Sequence, residues 1–297
     1  MAEHKLESAG MGLGIALAIT LLIFVLQVAG GLMSNSLALL SDSGHVLSDS
    51  LSLAVSWFAF MLATRPAGLR RTFGYHRAEV FAALINSLLL LAMALVVAYE
   101  AYLRAVSPPA VNAPIMLMFA LLGLIGNVYV VARLGRHKNL NVRSAMMHAL
   151  SDALSSVGVI IGAVAIAITG ATVLDSAVSV LIAGLMLVGA YRIGRDALRI
   201  LFEFSPRGKG AQEICKIMYS VEGVREVHDV HVWSVCSDLI YLTAHVVVDD
   251  GKVSGCERIA DALSERLRKK LGISHTTFQF ETKGHKHGKE MVCEIGH

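Results

Sequence analysis

The pattern of hydrophobic and polar positions divides the chain into two halves. Up to about residue 204, long apolar stretches alternate with short polar links; beyond it, the apolar runs are short. Six stretches, 11–33, 37–63, 79–103, 113–134, 143–169 and 174–195, suit helices crossing a hydrocarbon core of roughly 30 Å. The first is apolar from Gly12 to Met33. It is too long for a cleavable signal sequence and has no small-residue cleavage site before a polar region, so it is expected to remain as a span. The segment SPRGKG (205–210) reads as a linker. After it the period changes. Residues 211–221 form a short helix; VREVHDVHVWSV (224–235) and LIYLTAHVVVDD (239–250) read as strands. CERIADALSERLRKKLG (256–272) is an amphipathic helix stopping at Gly272, and HTTFQFE (275–281) alternates as a third strand. The expected fold is an all-α, six-helix transmembrane domain (1–204) followed by a small α+β cytoplasmic domain (205–284) of order α-β-β-α-β, then a His- and Cys-containing tail (285–297).

Composition agrees. Of the 297 residues 55% are hydrophobic and 16% charged, far too apolar for a water-soluble globule. Charge sets the orientation. Lys5 precedes the first span; Arg65, Arg70, Arg71 and Arg77 lie between the second and third. Arg133, Arg136, Lys138 and Arg143 lie between the fourth and fifth, and Arg192, Arg195 and Arg199 close the sixth. On the other side only Arg104 is basic. The positive-inside rule therefore places both termini in the cytoplasm. The net charge of +3 sits on arginines next to the membrane, which implies anionic lipid as the partner and not nucleic acid. Cys215, Cys236, Cys256 and Cys293 all fall in the cytoplasmic part without a C-x-x-C pair, so a disulfide framework is not expected there.

The candidate chemistry lies inside the apolar half. HVLSDSLS (45–52) and HALSDALS (148–155) repeat one frame in the second and fifth spans. His45 and Asp49, and again His148 and Asp152, are four residues apart and so share a helical face. Ionisable groups within a bilayer are costly and mark function. Two such faces together offer two imidazoles and two carboxylates, a donor set that suits tetrahedral Zn²⁺. A thiolate-preferring ion would call for cysteine, absent from this half, and Mg²⁺ would favour oxygen alone. Cd²⁺, Co²⁺, Ni²⁺, Fe²⁺ and Mn²⁺ remain compatible with the spacing. A proton relay, structural hydrogen bonds and a metal sensor are the rival readings. A membrane metalloprotease is disfavoured by the absence of H-E-x-x-H and by two ligand pairs that would close the shell. Asp42, three residues before His45, reads either as a helix-start residue or as a carboxylate beside the site; the surrounding serines read as packing.

The segments SLALLSDSGHVLSDSLSL (36–53), RRTFGYHRAEVFAALIN (70–86), MMHALSDALSSVGVI (146–160) and VHDVHVWSV (227–235) resemble the cation diffusion facilitator family over nearly the whole chain. The resemblance implies divalent-metal/proton antiport by a six-span homodimer, with His45, Asp49, His148 and Asp152 carrying the transported ion, and the His-Asp pairing resembles the zinc-preferring type, which makes Zn²⁺ the expected cargo. It also implies a metallochaperone-like (ferredoxin-like) cytoplasmic domain, expected to bind Zn²⁺ or to hold the dimer; no enzyme activity and no organic cofactor are expected. His228 and His245, with His275 and Glu281, match the family's cytoplasmic zinc site; as residues alone they read equally as solvent-facing strand positions. His285, His287, Cys293 and His297 form either a weak chelating tail or a disordered end. Tyr75 and His76 stand where some bacterial members have a loop metal site, so none is expected here. The short RLGRHKNLN link (133–141), with His137 alone, resembles bacterial inner-membrane members and not animal ones.

Overall fold

The computed structural model describes residues 2–63, 65–134, 140–236 and 239–283, without the side chains of 2–17, 49, 52, 53, 56, 57, 60, 63, 134, 140–145, 147 and 148. Six long helices come first: α1 (Ala2–Ser34), α2 (Leu37–Ala63), α3 (Arg77–Val106), α4 (Ala113–Leu134), α5 (Leu140–Thr169) and α6 (Val173–Leu201). Among the described residues four segments are long and apolar enough to cross a membrane: Arg77–Val106, Ala113–Arg133, Ala149–Thr169 and Val173–Leu201. Only 33% to 39% of each apolar window is buried inside the protein. Side chains such as Leu95, Ile125, Ile161 and Leu185 point outward instead. Such a surface is stable only where the surrounding solvent is lipid.

The chain divides into two compact units, Met1–Val55 with Ile85–Arg192, and Ser56–Leu84 with Ile193–His297. In the first, α4 packs along α1 and α5. Small residues set the distances. A Cβ on Gly30 would stand 2.3 Å from the Phe119 ring, and one on Gly126 would stand 2.6 Å from Ile23. Lipid gives little hydrophobic drive between helices, so close backbone approach supplies much of the packing. Leu39, Met116, Phe119, Val159 and Met186 fill the centre. Asp175, at the start of α6, is buried and caps α2 from outside. Its carboxylate accepts from Ser36 Oγ (2.6 Å) and from the backbone N–H of Leu37 (2.6 Å) and Ala38 (3.3 Å). Those N–H groups lack an intrahelical acceptor, and burial keeps water from them.

The second unit holds α7 (Ala211–Tyr219), β1 (Glu226–Ser234), β2 (Ile240–Val247), α8 (Val253–Leu271) and β3 (His275–Glu281). The α-β-β-α-β order is the one expected. β1 pairs antiparallel with β2, and β2 parallel with β3. Apolar residues of β1 and β2, among them Val232, Leu242 and Val246, pack with Ile214 and Met218 of α7 and Leu263 and Leu267 of α8. α8 ends where the sequence stops it, at Gly272 in the left-handed region (φ 64°), whose N–H bonds to Arg268 O. The opposite face of the sheet carries His228, His231 and Trp233 on β1, His245 and Tyr241 on β2, and Glu281 and His275 on β3.

Candidate metal sites

Within the membrane unit the structure joins α2 to α5 through a residue that the sequence left ambiguous. Asp42 is almost fully buried. It accepts hydrogen bonds from Gln27 Nε2 of α1 (2.5 Å), from Ser156 Oγ of α5 (3.3 Å), and at shorter range from Ser155 Oγ. His45 follows Asp42 by three residues on α2, and Asp152 precedes Ser155 by three on α5. The start of α2 meets the start of α6, just beyond the end of α5, so α2 and α5 run antiparallel. His45 and Asp152 thus lie about one turn beyond the Asp42 contact, on the same side of it. His45 is half-buried and Asp152 buried. The side chains of Asp49 and His148 lie outside the described residues.

Five of the serines near the motif show two kinds of bond. Ser41, Ser43 and Ser50 turn back to carbonyls of their own helix. Ser155 and Ser156 bond across the interface instead. Gln27 escaped the sequence reading. The available signal was a lone amide in an apolar span, which only a partner on another helix makes informative.

In the second unit a compact cluster forms on the face of the sheet turned away from α7 and α8. His228 and His245 are direct cross-strand partners, their rings 5.2 Å apart. Glu281 pairs with Val247, two residues from His245, which places it diagonally on the same face. Its Oε1 lies 3.0 Å from His245 Nδ1 and its Oε2 3.4 Å from His228 Nε2. One ligand atom from each of the three residues falls within 4.8 Å of the other two. His228 is 5% exposed, yet neither ring nitrogen has a hydrogen-bond partner among the described residues. A dry imidazole without a hydrogen bond is costly, and a cation among the three groups removes that cost. The residues present therefore fit a divalent ion with nitrogen and oxygen donors.

His275 is not brought into this cluster. It pairs with Tyr241 at the far end of β3 from Glu281, its ring 4.6 Å from the tyrosine's. Six residues of extended strand span roughly 20 Å, which carries His275 out of reach of the cluster. Trp233 stacks on the same tyrosine, with ring centroids 5.9 Å apart. Cys215, Cys236 and Cys256 are free thiols, and burial pushes the Cys215 thiol up, keeping it protonated. Tail residues His285, His287, Cys293 and His297 lie outside the described residues.

A bulge that the sequence did not announce reshapes β1. His228 faces His245 and His231 faces Thr243, so Asp229 and Val230 together oppose Ala244 alone. The extra residue lets His228 and His231, three apart, share one face; regular alternation would separate them. Asp229 adopts φ 51° to make the turn. Its Oδ1 contacts His231 Nε2 at 2.8 Å and its Oδ2 lies 3.4 Å from His245 Nε2.

Comparison with known proteins agrees over both halves. The cation efflux transmembrane domain family matches residues 13–202, and the cation efflux protein cytoplasmic domain family matches residues 206–283. The chain is 39% identical over 275 residues to the cadmium, cobalt and zinc/H⁺-K⁺ antiporter of Bacillus subtilis, covering 91% of this chain and 88% of that protein. It is 41% identical over 285 residues to the metal cation efflux system protein CzcD of Cupriavidus metallidurans, covering 94% and 90%. The zinc transporter ZitB of Escherichia coli is 34% identical over 270 residues, covering 90% and 85%.

Proposed function

The chain belongs to the cation efflux family, the cation diffusion facilitators, and from that premise we propose that it exports Zn²⁺ across a bacterial inner membrane in exchange for protons. The observation that carries the reading is the α2–α5 contact at Asp42, which sets the HVLSD and HALSD segments on neighbouring helices. His45, Asp49, His148 and Asp152 form the transport site. Six spans, both termini in the cytoplasm and a homodimer complete the architecture; residues 1–204 form the transport domain and 205–284 the cytoplasmic one. The transport family, the cytoplasmic-domain match and the relatives' names support this together. Zinc stands in the names of the Bacillus subtilis and Escherichia coli proteins, and H⁺ in the former.

The chemistry follows from the ligands. Binding requires neutral imidazole and ionised carboxylate, so the incoming ion displaces protons on the cytoplasmic side. Once the site opens to the other side, protons compete the ion off. Imidazole suits this exchange because its unperturbed proton affinity lies near neutrality. The proton gradient then drives the return. In the cytoplasmic domain His228, His245 and Glu281 would hold a regulatory Zn²⁺, which supplies a crosslink between the three strands. Cadmium and cobalt in the name of the Bacillus subtilis relative favour, as a second reading, the same site with a broader cargo.

The test is zinc uptake into proteoliposomes under an imposed pH gradient, with cadmium and cobalt as competitors. Asp49→Ala and Asp152→Ala should each abolish uptake while leaving a folded protein. Normal flux from either variant overturns the site. Flux that neither needs nor moves protons overturns antiport.

A further inference from the structure

His245 has a contact on each ring nitrogen. Nδ1 faces Glu281 Oε1 at 3.0 Å, while Nε2 faces Asp229 Oδ2 at 3.4 Å. The other oxygen of Asp229 is held by His231 at 2.8 Å. One imidazole therefore lies between two carboxylates, and one of those carboxylates lies between two imidazoles. A neutral imidazole has a single lone pair to offer, so an ion on Nδ1 requires the proton to sit on Nε2. A carboxylate opposite Nε2 selects that tautomer and fixes the ring plane.

Asp229 reaches this place only through the bulge. In regular alternation residue 229 would point to the face opposite His228, toward the helix-covered core. The extra residue and the left-handed φ of 51° turn its carboxylate to the face that carries His228 and His245. Aspartate and asparagine tolerate that conformation better than other non-glycine residues, which makes the position selective for a short polar side chain.

We infer that Asp229 is the positioning residue of the cytoplasmic metal site: its carboxylate holds His245 in the Nε2–H tautomer, with Nδ1 turned toward a divalent cation shared with His228 and Glu281. The inference deepens the cytoplasmic-site reading above and rests on it. The contact at 3.4 Å is loose. A cation on Nδ1 makes the Nε2–H a stronger donor and so draws Asp229 closer.

The experiment is calorimetric titration of Zn²⁺ into the full-length, detergent-solubilised protein carrying Asp152→Ala, which removes the proposed transport site. In that background the binding event lost on His228→Ala defines the cluster. Adding Asp229→Asn, which keeps the backbone preference and removes the charge, should weaken that event roughly 10- to 100-fold. Nitrogen NMR of histidine-labelled, zinc-loaded protein should show His245 as an Nε2–H species, and the Nε2 resonance should shift in the Asp229→Asn variant, where the charged acceptor of that N–H is lost. Hydrogen exchange at β1 and β2 amides should not change between the two. Unchanged affinity in Asp229→Asn, beside a loss in His228→Ala, overturns the positioning role and leaves the cluster standing. Faster strand exchange that accounts for the weaker binding reduces Asp229 to a structural residue and also overturns it. Absence of any His228-dependent event removes the cluster and the inference with it.

Discussion

Replacing Asp42 by alanine should destabilise the membrane unit chiefly through Gln27. Gln27 is 0% exposed and Asp42 1%, and the 2.5 Å bond between them has no water to replace it. Among the described residues the Oε1 of Gln27 has no hydrogen-bond partner, so losing Asp42 leaves both ends of the amide unpaired there. Ser155 and Ser156 are less exposed to the loss, because helical serines can turn back to their own carbonyls. A stranded buried donor costs about 1–3 kcal/mol. Gln27→Leu instead leaves Asp42 with both serine donors, and Gln27→Leu with Asp42→Ala leaves no stranded amide. The double variant should therefore be less destabilised than the sum of the singles. Side-chain hydrogen bonds between membrane helices couple by about 0.6 kcal/mol on average and at most about 1.7. A short, dry bond to a carboxylate belongs at the upper end. The assay is equilibrium unfolding of the four proteins in mixed detergent–SDS micelles, followed by circular dichroism. Effects that add within about 0.5 kcal/mol, as for independent sites, would refute the network.

Two further outcomes follow from other contacts. Asp175→Ala strands the first N–H groups of α2 and should cost about 2 kcal/mol, the upper end for a lost N-cap, in the same unfolding assay, whereas Asp175→Asn should retain part of the stability. In the cytoplasmic domain, Arg225 donates to Asp249 through Nε (2.9 Å) and Nη2 (2.5 Å), and that hydrogen bonding holds the Asp249 carboxyl below its ordinary value of 3.8. A depressed carboxylate contributes stability above its unfolded pKa and loses it as pH falls through the folded one, so the pair acts at neutral pH and fades in acid. Carbon NMR of the Asp249 carboxyl should show its titration move upward in Arg225→Ala, with little change in stability at pH 7 because the pair is exposed to solvent.

What the sequence by itself determined were the features that depend on local periodicity. The long apolar stretches became helices because in lipid every backbone group must be satisfied within its own segment. The shift to short alternating runs marked the sheet, and Gly272 marked the end of α8 because the stop needs a left-handed residue. The repeated H-x-L-S-D frame was legible because four residues make about one helical turn. What only the tertiary structure decided were the partners of residues far apart in the chain. Gln27 is fifteen residues from Asp42 and Ser155 a hundred and thirteen, so neither bond has a local signature. Asp175 caps a helix that begins 138 residues earlier. In the sheet, His275 and Glu281 looked equivalent as polar residues of one strand, and pairing with β2 separated them by the strand's length. The bulge at Asp229 was the least legible feature, since V-H-D-V-H reads as a regular strand. One extra residue, forced by pairing with β2, put His228, Asp229 and His231 on a single face, and no period along the chain could have shown it.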